Sequence, residues 1–260
     1  MMRKGMIILV TMASLVVSIA NDAQAITDGE PDGSRHHYVG MVFDLGSDGS
    51  VGIACSGVLV SPRVFLTAGH CTEGFLSPPP DLSVQVSLAA DATGLVSQAT
   101  GTPHTYPGFC AGCAGGWGRN LGDLGVVVLD RPVRLTQYGS LPAVGVADTL
   151  STGAPVTEVG YGLRSGVAGC TFSRCLPGDF GVRTLLRGLV LSGGSLSDTF
   201  VRSRGSGGAC FGDSGGPILN GDGPTVLAVD SFVNDWSCKG VDYSFRIDQA
   251  PVLSWIKSWM

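Results

Sequence analysis

Apolar residues along this chain fall in short runs, separated by clusters of Gly, Pro, Asp, Asn and Ser. Residues 38–43, 57–60, 63–68, 82–88 and 124–129 make a first set of such runs, and residues 156–161, 182–191, 216–219, 225–229 and 243–247 make a second. Many short strands punctuated by turn residues predict a sandwich or barrel. The two sets part in residues 131–149, a stretch with two prolines and little periodicity. The end of the chain has helical spacing, with Val252, Leu253, Ile256 and Trp259 on one face and Asp248 placed as an N-cap. Residues 76–80 and 107–118 read as Pro- and Gly-rich turns. There is no internal repeat and no low-complexity tract.

The head of the chain breaks this pattern. Arg3 and Lys4 precede an uncharged apolar run of fifteen residues, 6–20. A membrane span needs roughly 18–20 residues, so with Ala23 and Ala25 framing a cut, residues 1–25 read as a cleavable signal peptide. Ile26 then becomes the new N-terminus. A retained anchor is the rival reading, and a cut after Ala20 would leave Asn21 to Ala25 as a stub. Forty glycines, fourteen prolines and 14% charged residues suit a turn-rich extracellular β protein of one core or two small ones. The net charge is −5, and loss of Arg3, Lys4 and Asp22 makes the chain more acidic still. Net acidity with no basic stripe argues against nucleic acid or an anionic membrane as partner, and no membrane contact is expected once the signal is gone. The expected location is extracellular, with the periplasm as the alternative, and the expected state a monomer.

Eight cysteines stand at 55, 71, 110, 113, 170, 175, 210 and 238. An even count behind an export signal argues for disulfides in an oxidising compartment, and the sequence alone leaves their pairing open. A zinc shell built from CAGC (110–113) and CTFSRC (170–175) is the rival reading. A redox role for the C-x-x-C pair lacks its βαβ context.

Three segments carry chemistry. CFGDSGGP, residues 210–217, sets Ser214 among glycines. A serine hydroxyl is a weak nucleophile until a base takes its proton. Glycines allow a tight turn whose backbone N–H groups can face a developing oxyanion. Of the four histidines, His70 lies in LTAGHC after a β-type run. His36 and His37 sit beside the new N-terminus and His104 in a polar loop, which suits structural or solvated roles. A catalytic imidazole needs a carboxylate to fix its tautomer. Asp123, at the start of an apolar strand in NLGDLGVVVLD, offers one, whereas Asp130 before Arg131-Pro132 reads as a turn residue.

LTAGHC, DLGVVVL and GDSGGP, in that order, resemble the chymotrypsin/trypsin family of serine proteases, and the likeness runs from Ile26 to the C-terminal helix. The order His, Asp, Ser differs from that of α/β-hydrolases and subtilisins. The resemblance implies an all-β fold: two six-stranded antiparallel β-barrels packed together, about residues 38–135 and 152–247, with a C-terminal α-helix at about 248–259. It implies a secreted endopeptidase acting on proteins or peptides; the short signal and lack of a long pro-segment suit a bacterial-type member, and with no recognisable calcium loop no metal or cofactor is expected. Ser214 would be the nucleophile, His70 the general acid/base, Asp123 its orienter, and the N–H groups of Gly212 and Ser214 the oxyanion hole. Ser231 would hydrogen-bond the aspartate. Cys55–Cys71 and Cys210–Cys238 match family disulfides, leaving Cys110–Cys113 and Cys170–Cys175 as local pairs. A freed Ile26 ammonium would pair with Asp213. The family usually opens Ile-Val-Gly-Gly, and here Thr27 and Asp28 replace the middle pair.

The same resemblance outlines the pocket for the residue before the scissile bond. Trypsins have an aspartate where this chain has Gly208, beside Ala209. Ser231, Phe232 and Val233 resemble the elastase version of the wall, and Gly240 would supply the opposite one. Small or medium uncharged side chains are the expected preference. The alternative is Arg/Lys specificity with its charge supplied by Asp242. An inactive homologue that binds a partner through the cleft is the non-enzymatic reading.

Overall fold

In the computed structural model the residues described are 26–46, 49–76, 83–113, 115, 120–163, 181–192, 199–235 and 237–260. A two-residue strand β1 (Glu30–Pro31) is followed by β2 (Val39–Leu45), β3 (Val51–Leu59), β4 (Val64–Thr67), helix α1 (Gly69–Leu76), β5 (Ser83–Ser87), β6 (Ala99–Thr105) and β7 (Gly125–Leu129). Strands β2-β3-β4-β7-β6-β5 close into an antiparallel barrel. The second half contributes β8 (Pro155–Gly160), β9 (Thr184–Leu191), β10 (Phe200–Arg204), β11 (Pro217–Asn220), β12 (Val226–Val233) and β13 (Asp242–Arg246), then helix α2 (Ala250–Lys257). Here β9-β10-β13-β12-β11-β8 run in order and β8 pairs back onto β9, closing a second barrel with β1 added on the outside of β9. This is the two-barrel, all-β architecture with one C-terminal helix that the family resemblance implies. No described helix is long and apolar enough to cross a membrane.

Alternation along the strands fills three cores. On β2, Val39, Met41 and Phe43 join a cluster that also takes Val159, Tyr161, Leu219, Val229 and Phe245 from the second half, so this core binds the barrels to each other. Val42 points the other way, toward Cys55, Phe65, Val86 and Val127 of the first half. Period two with both faces covered explains why these strands read as continuous apolar runs. The third core belongs to the second half, where Ile26 packs with Val156, Leu189, Val201 and Ile218.

One polar side chain stitches the seam. Arg183, 2% exposed, donates through Nε to Asp32 at 2.8 Å, through Nη1 to the carbonyls of Val39 and Leu88 at 3.1 and 3.0 Å, and through Nη2 to that of Gly33 at 2.6 Å. Asp32 also meets His36 Nδ1 at 2.5 Å, which gives that buried histidine its structural partner.

The differences from the expected elements have physical causes. Strand β6, ATGTPHT, carries almost no apolar residues and forms because β5 and β7 pair with it on either side. His104 therefore lies on a strand, not in a polar loop, and its ring stacks on Trp259 at 4.1 Å. Strand β10, FVRSR, was not among the expected runs either, because only Phe200 and Val201 are apolar and its buried positions include the polar Ser203. Asp248 is not the cap of α2. The cap is Gln249, because the Asp248 carboxylate is taken by the Arg246 guanidinium at 2.9 Å and the Ala147 N–H at 2.8 Å.

Candidate active site

His70 enters directly after β4, on the first turn of α1, where the disulfide from Cys71 to Cys55 of β3 anchors its loop. Its side chain keeps 32% of its surface exposed. The Nδ1 lies 2.9 Å from Asp123 Oδ2, and the backbone N–H donates to Oδ1 at 2.8 Å. Asp123 is fully buried just ahead of β7. It also accepts the Ser231 hydroxyl at 2.5 Å and the Asn120 side-chain amide at 3.4 Å. Burial alone would raise its pKa, but the His70 charge and these hydrogen bonds win and hold it below the usual carboxylate value. For His70, burial pulls the pKa down, while the charge and hydrogen bond of Asp123 bring a net rise. With Nδ1–H given to Asp123, Nε2 is left free to take a proton.

Ser214 sits on a turn pinned at both ends, Asp213 N–H to Cys210 carbonyl at 3.0 Å and Gly216 N–H to Asp213 carbonyl at 2.7 Å. Gly212 and Gly215 take φ of +98° and +82°, the left-handed region open to glycine. At Gly215 a Cβ would fall 2.5 Å from the Ala68 nitrogen and 2.6 Å from the Ser56 carbonyl, so the turn is pressed against the backbone that leads into His70. Ser56 holds it there. Its N–H donates to the Ser214 carbonyl at 2.9 Å, and its hydroxyl donates to the Gly212 carbonyl at 2.8 Å while accepting the Tyr161 N–H at 2.9 Å. No hydrogen bond joins His70 to the Ser214 hydroxyl in this structure; such contacts are often long in unliganded sites. Among the described residues, nothing accepts from the N–H groups of Gly212 and Ser214. Ser56 and Asn120 were not foreseen; the signal for Ser56 was its place next to Cys55.

Asp213 is fully buried and receives the Gly162 and Cys210 N–H groups at 2.8 and 2.9 Å. Burial still pushes its pKa up to about 7. Ile26 is also fully buried, yet it forms no ion pair with Asp213, because its nitrogen is still in a peptide bond to Ala25. Asp213 has acidic company. Burial, then the charges of Asp242, Asp230 and Asp213, drive Glu158 well above its ordinary range, and Asp230 is raised in the same way. Among the described residues, neither oxygen of Glu158 has a hydrogen-bond partner. The visible sign of this cluster was a charge inside each of two apolar runs, Glu158 in VTEVGY and Asp230 at the end of TVLAVD.

At the pocket positions, Gly208 and Ala209 are buried, and Ser231, Phe232 and Val233 end β12. The group facing Gly208 is Asp242: a Cβ on the glycine would lie 2.7 and 2.8 Å from its two carboxylate oxygens. Burial lifts Asp242 to about 7, against the Ala209 N–H, which lowers it. Gly240 packs against Asn234 and Asp235. Cys210–Cys238 and Cys110–Cys113 are bonded, so the latter pair is not free to ligate zinc. Cys170 and Cys175 lie outside the described residues.

Paired antiparallel barrels, with a His–Asp couple and a glycine-flanked serine turn at their seam, define the chymotrypsin-like serine protease class. Residues 27–256 match the trypsin family, and the chain belongs to it. Brachyurin of Leptuca pugilator is 31% identical over 183 residues, covering 63% of this chain and 70% of that protein. Chymotrypsin-like elastase family member 3B of Macaca mulatta is 25% identical over 213 residues, covering 74% and 76%. Both come from animals and lend no support to a bacterial-type member. The fold is shared with HL collagenase (TM-score 0.67, 19% identity, 90% of this chain and 97% of that one). It is also shared with a mutant of human heparin binding protein (TM-score 0.67, 20% identity, 90% and 96%).

Proposed function

We propose that this chain is an exported serine endopeptidase acting through an acyl-enzyme. The observation that carries the reading is the hydrogen-bonded row from Ser231 through Asp123 to His70, set against a serine turn whose two amides have no acceptor among the described residues. The Ser214 Oγ attacks the scissile carbonyl as His70 Nε2 takes its proton. Gly212 and Ser214 N–H groups hold the oxyanion, worth about 3–4 kcal/mol per donor. His70 then gives the proton to the departing amine, and water repeats the sequence on the ester. Removal of residues 1–25 supplies an Ile26 ammonium for Asp213, whose raised pKa suits a carboxylate awaiting a cation.

For the side chain before the scissile bond, the position of Asp242 behind Gly208 favours a basic residue over the small or medium uncharged ones expected from Val233. Half-ionised near neutrality, Asp242 still admits uncharged residues, and the elastase-named relative keeps that reading as the second. The test is labelling of the secreted protein by a fluorophosphonate, lost on Ser214→Ala, with N-terminal sequencing giving Ile-Thr-Asp-Gly. Chromogenic peptides with Arg, Ala, Phe or Glu at the cleavage position then rank the pocket. Absence of labelling would defeat the enzyme reading, and turnover of Ala and Phe without Arg would defeat the basic one.

A further inference from the structure

The two residues that depart from the family's opening sequence, Thr27 and Asp28, are the two that attach the N-terminal arm to the pocket. Thr27 is buried and bridges to Gly208, its N–H donating to the Gly208 carbonyl at 3.1 Å. Its hydroxyl then makes bonds that the family's valine has no atoms to make. The Gly208 N–H donates to Oγ1 at 2.9 Å. The hydroxyl proton goes to the Cys238 carbonyl at 2.6 Å, the nearer of its two acceptors, the Gly208 carbonyl lying at 3.1 Å. A hydroxyl has one proton and two lone pairs, so a single oxygen bridges Gly208 and Cys238, adding to the Cys210–Cys238 disulfide that joins the same two segments. One holds Gly208, directly in front of Asp242. The other is Cys238, a non-glycine residue at φ +56° bonded to Cys210. Close packing leaves the arm little play: a Cβ on Gly207 would lie 1.7 Å from the Thr27 carbonyl oxygen. Beside it, the Asp28 carboxylate lies 3.8 Å from Lys239, the residue after Cys238.

We propose that Thr27 is a positioning residue whose hydroxyl sets the spacing between Gly208 and Cys238, and so the shape of the pocket for the side chain before the scissile bond. This rests on the protease reading above. Its effect runs through the pocket, not through the proton transfer at His70, so it reads as substrate affinity that depends on the size of that side chain.

The test uses the secreted protein with its N-terminus confirmed at Ile26, comparing wild type with Thr27→Val, Thr27→Ala and Thr27→Ser. Active-site concentration and labelling rate come from a small alkyl fluorophosphonate, which leaves the pocket empty. Turnover is measured on peptides with Arg or Ala before the cleaved bond. Losing these hydrogen bonds should lower kcat/KM on the Arg peptide about tenfold, mainly through KM. The labelling rate and the Ala peptide should fall several times less, and Thr27→Ser should restore the wild-type pattern. Thr27→Ala carries the same expectation with no branched side chain to clash, should the valine variant not be secreted. Equal losses on both peptides and on labelling, or no loss on the Arg peptide, would overturn the proposal. So would a serine variant as impaired as the valine one. A wild-type protein that takes no label overturns the protease reading itself, and this inference with it.

Discussion

Ser231 gives its hydroxyl to Asp123 Oδ2 at 2.5 Å, the same oxygen that His70 Nδ1 approaches at 2.9 Å. The carboxylate is thus shared between the imidazole it orients and a donor from the other barrel. Ser231→Ala should lower kcat/KM by about 2–10-fold, the range for one net hydrogen bond. Relieved of that donor, Asp123 becomes a stronger acceptor toward His70, so the acid limb of the kcat/KM profile should move to higher pH. A profile moving the other way would contradict the shared-oxygen account.

The pocket should be readable by pH. Asp242 is protonated below and ionised above about 7. The ratio of kcat/KM on Arg over Ala peptides cancels the titration of His70, which both substrates need. That ratio should rise between pH 6 and pH 8, and Asp242→Asn should leave it flat and low. An unchanged ratio in the wild type would separate Asp242 from substrate binding.

Stability should fall with rising pH because of the carboxylate cluster. An acid whose folded pKa lies above its unfolded value holds more protons in the folded state. Its contribution is fully present below the unfolded pKa, near 4 for Asp242, and is lost as pH rises through the folded value of about 7. Glu158, also raised, adds to the same trend. Thermal melts of the Ser214→Ala protein, which avoid self-cleavage, should show Tm decreasing over this window. Glu158→Gln should raise Tm at pH 8 by about 2–4 °C for each kcal/mol relieved, and change it much less at pH 5.

Asp32 balances the buried Arg183 guanidinium, and breaking such a pair from one side costs about 3–5 kcal/mol. Asp32→Ala should therefore cause one of the larger stability losses in the molecule. In urea it should lower the unfolding midpoint with little change in slope, since the same surface is exposed. A midpoint within error of wild type would show that Arg183 is held by its carbonyl partners alone.

Chemistry was more legible in the sequence than geometry. His70, Asp123 and Ser214 lie in short motifs because their local conformation is set locally: a disulfide beside the histidine, a strand end at the aspartate, glycines around the serine. The two sets of apolar runs fall in the two barrels, though the runs alone predicted only a sandwich or barrel and the pair of barrels came from the family resemblance. Strand β6 escaped because neighbouring strands, not its own side chains, make it a strand. Asp248 was misread because a partner two residues before it, Arg246, outcompetes the helix end for its carboxylate. Asp242 was reached only through the family resemblance, as the alternative source of pocket charge. Nothing near it in the chain says that it faces Gly208, which only the closure of the second barrel brings about.

Ser56 belongs to the first barrel, yet its hydroxyl links the Gly212 carbonyl to the Tyr161 N–H of the second. A chain that has completed only one half thus lacks this link across the seam to its serine turn. On the protease reading, cutting would therefore require both halves to be docked, since the hydroxyl that braces the serine turn comes from the other barrel.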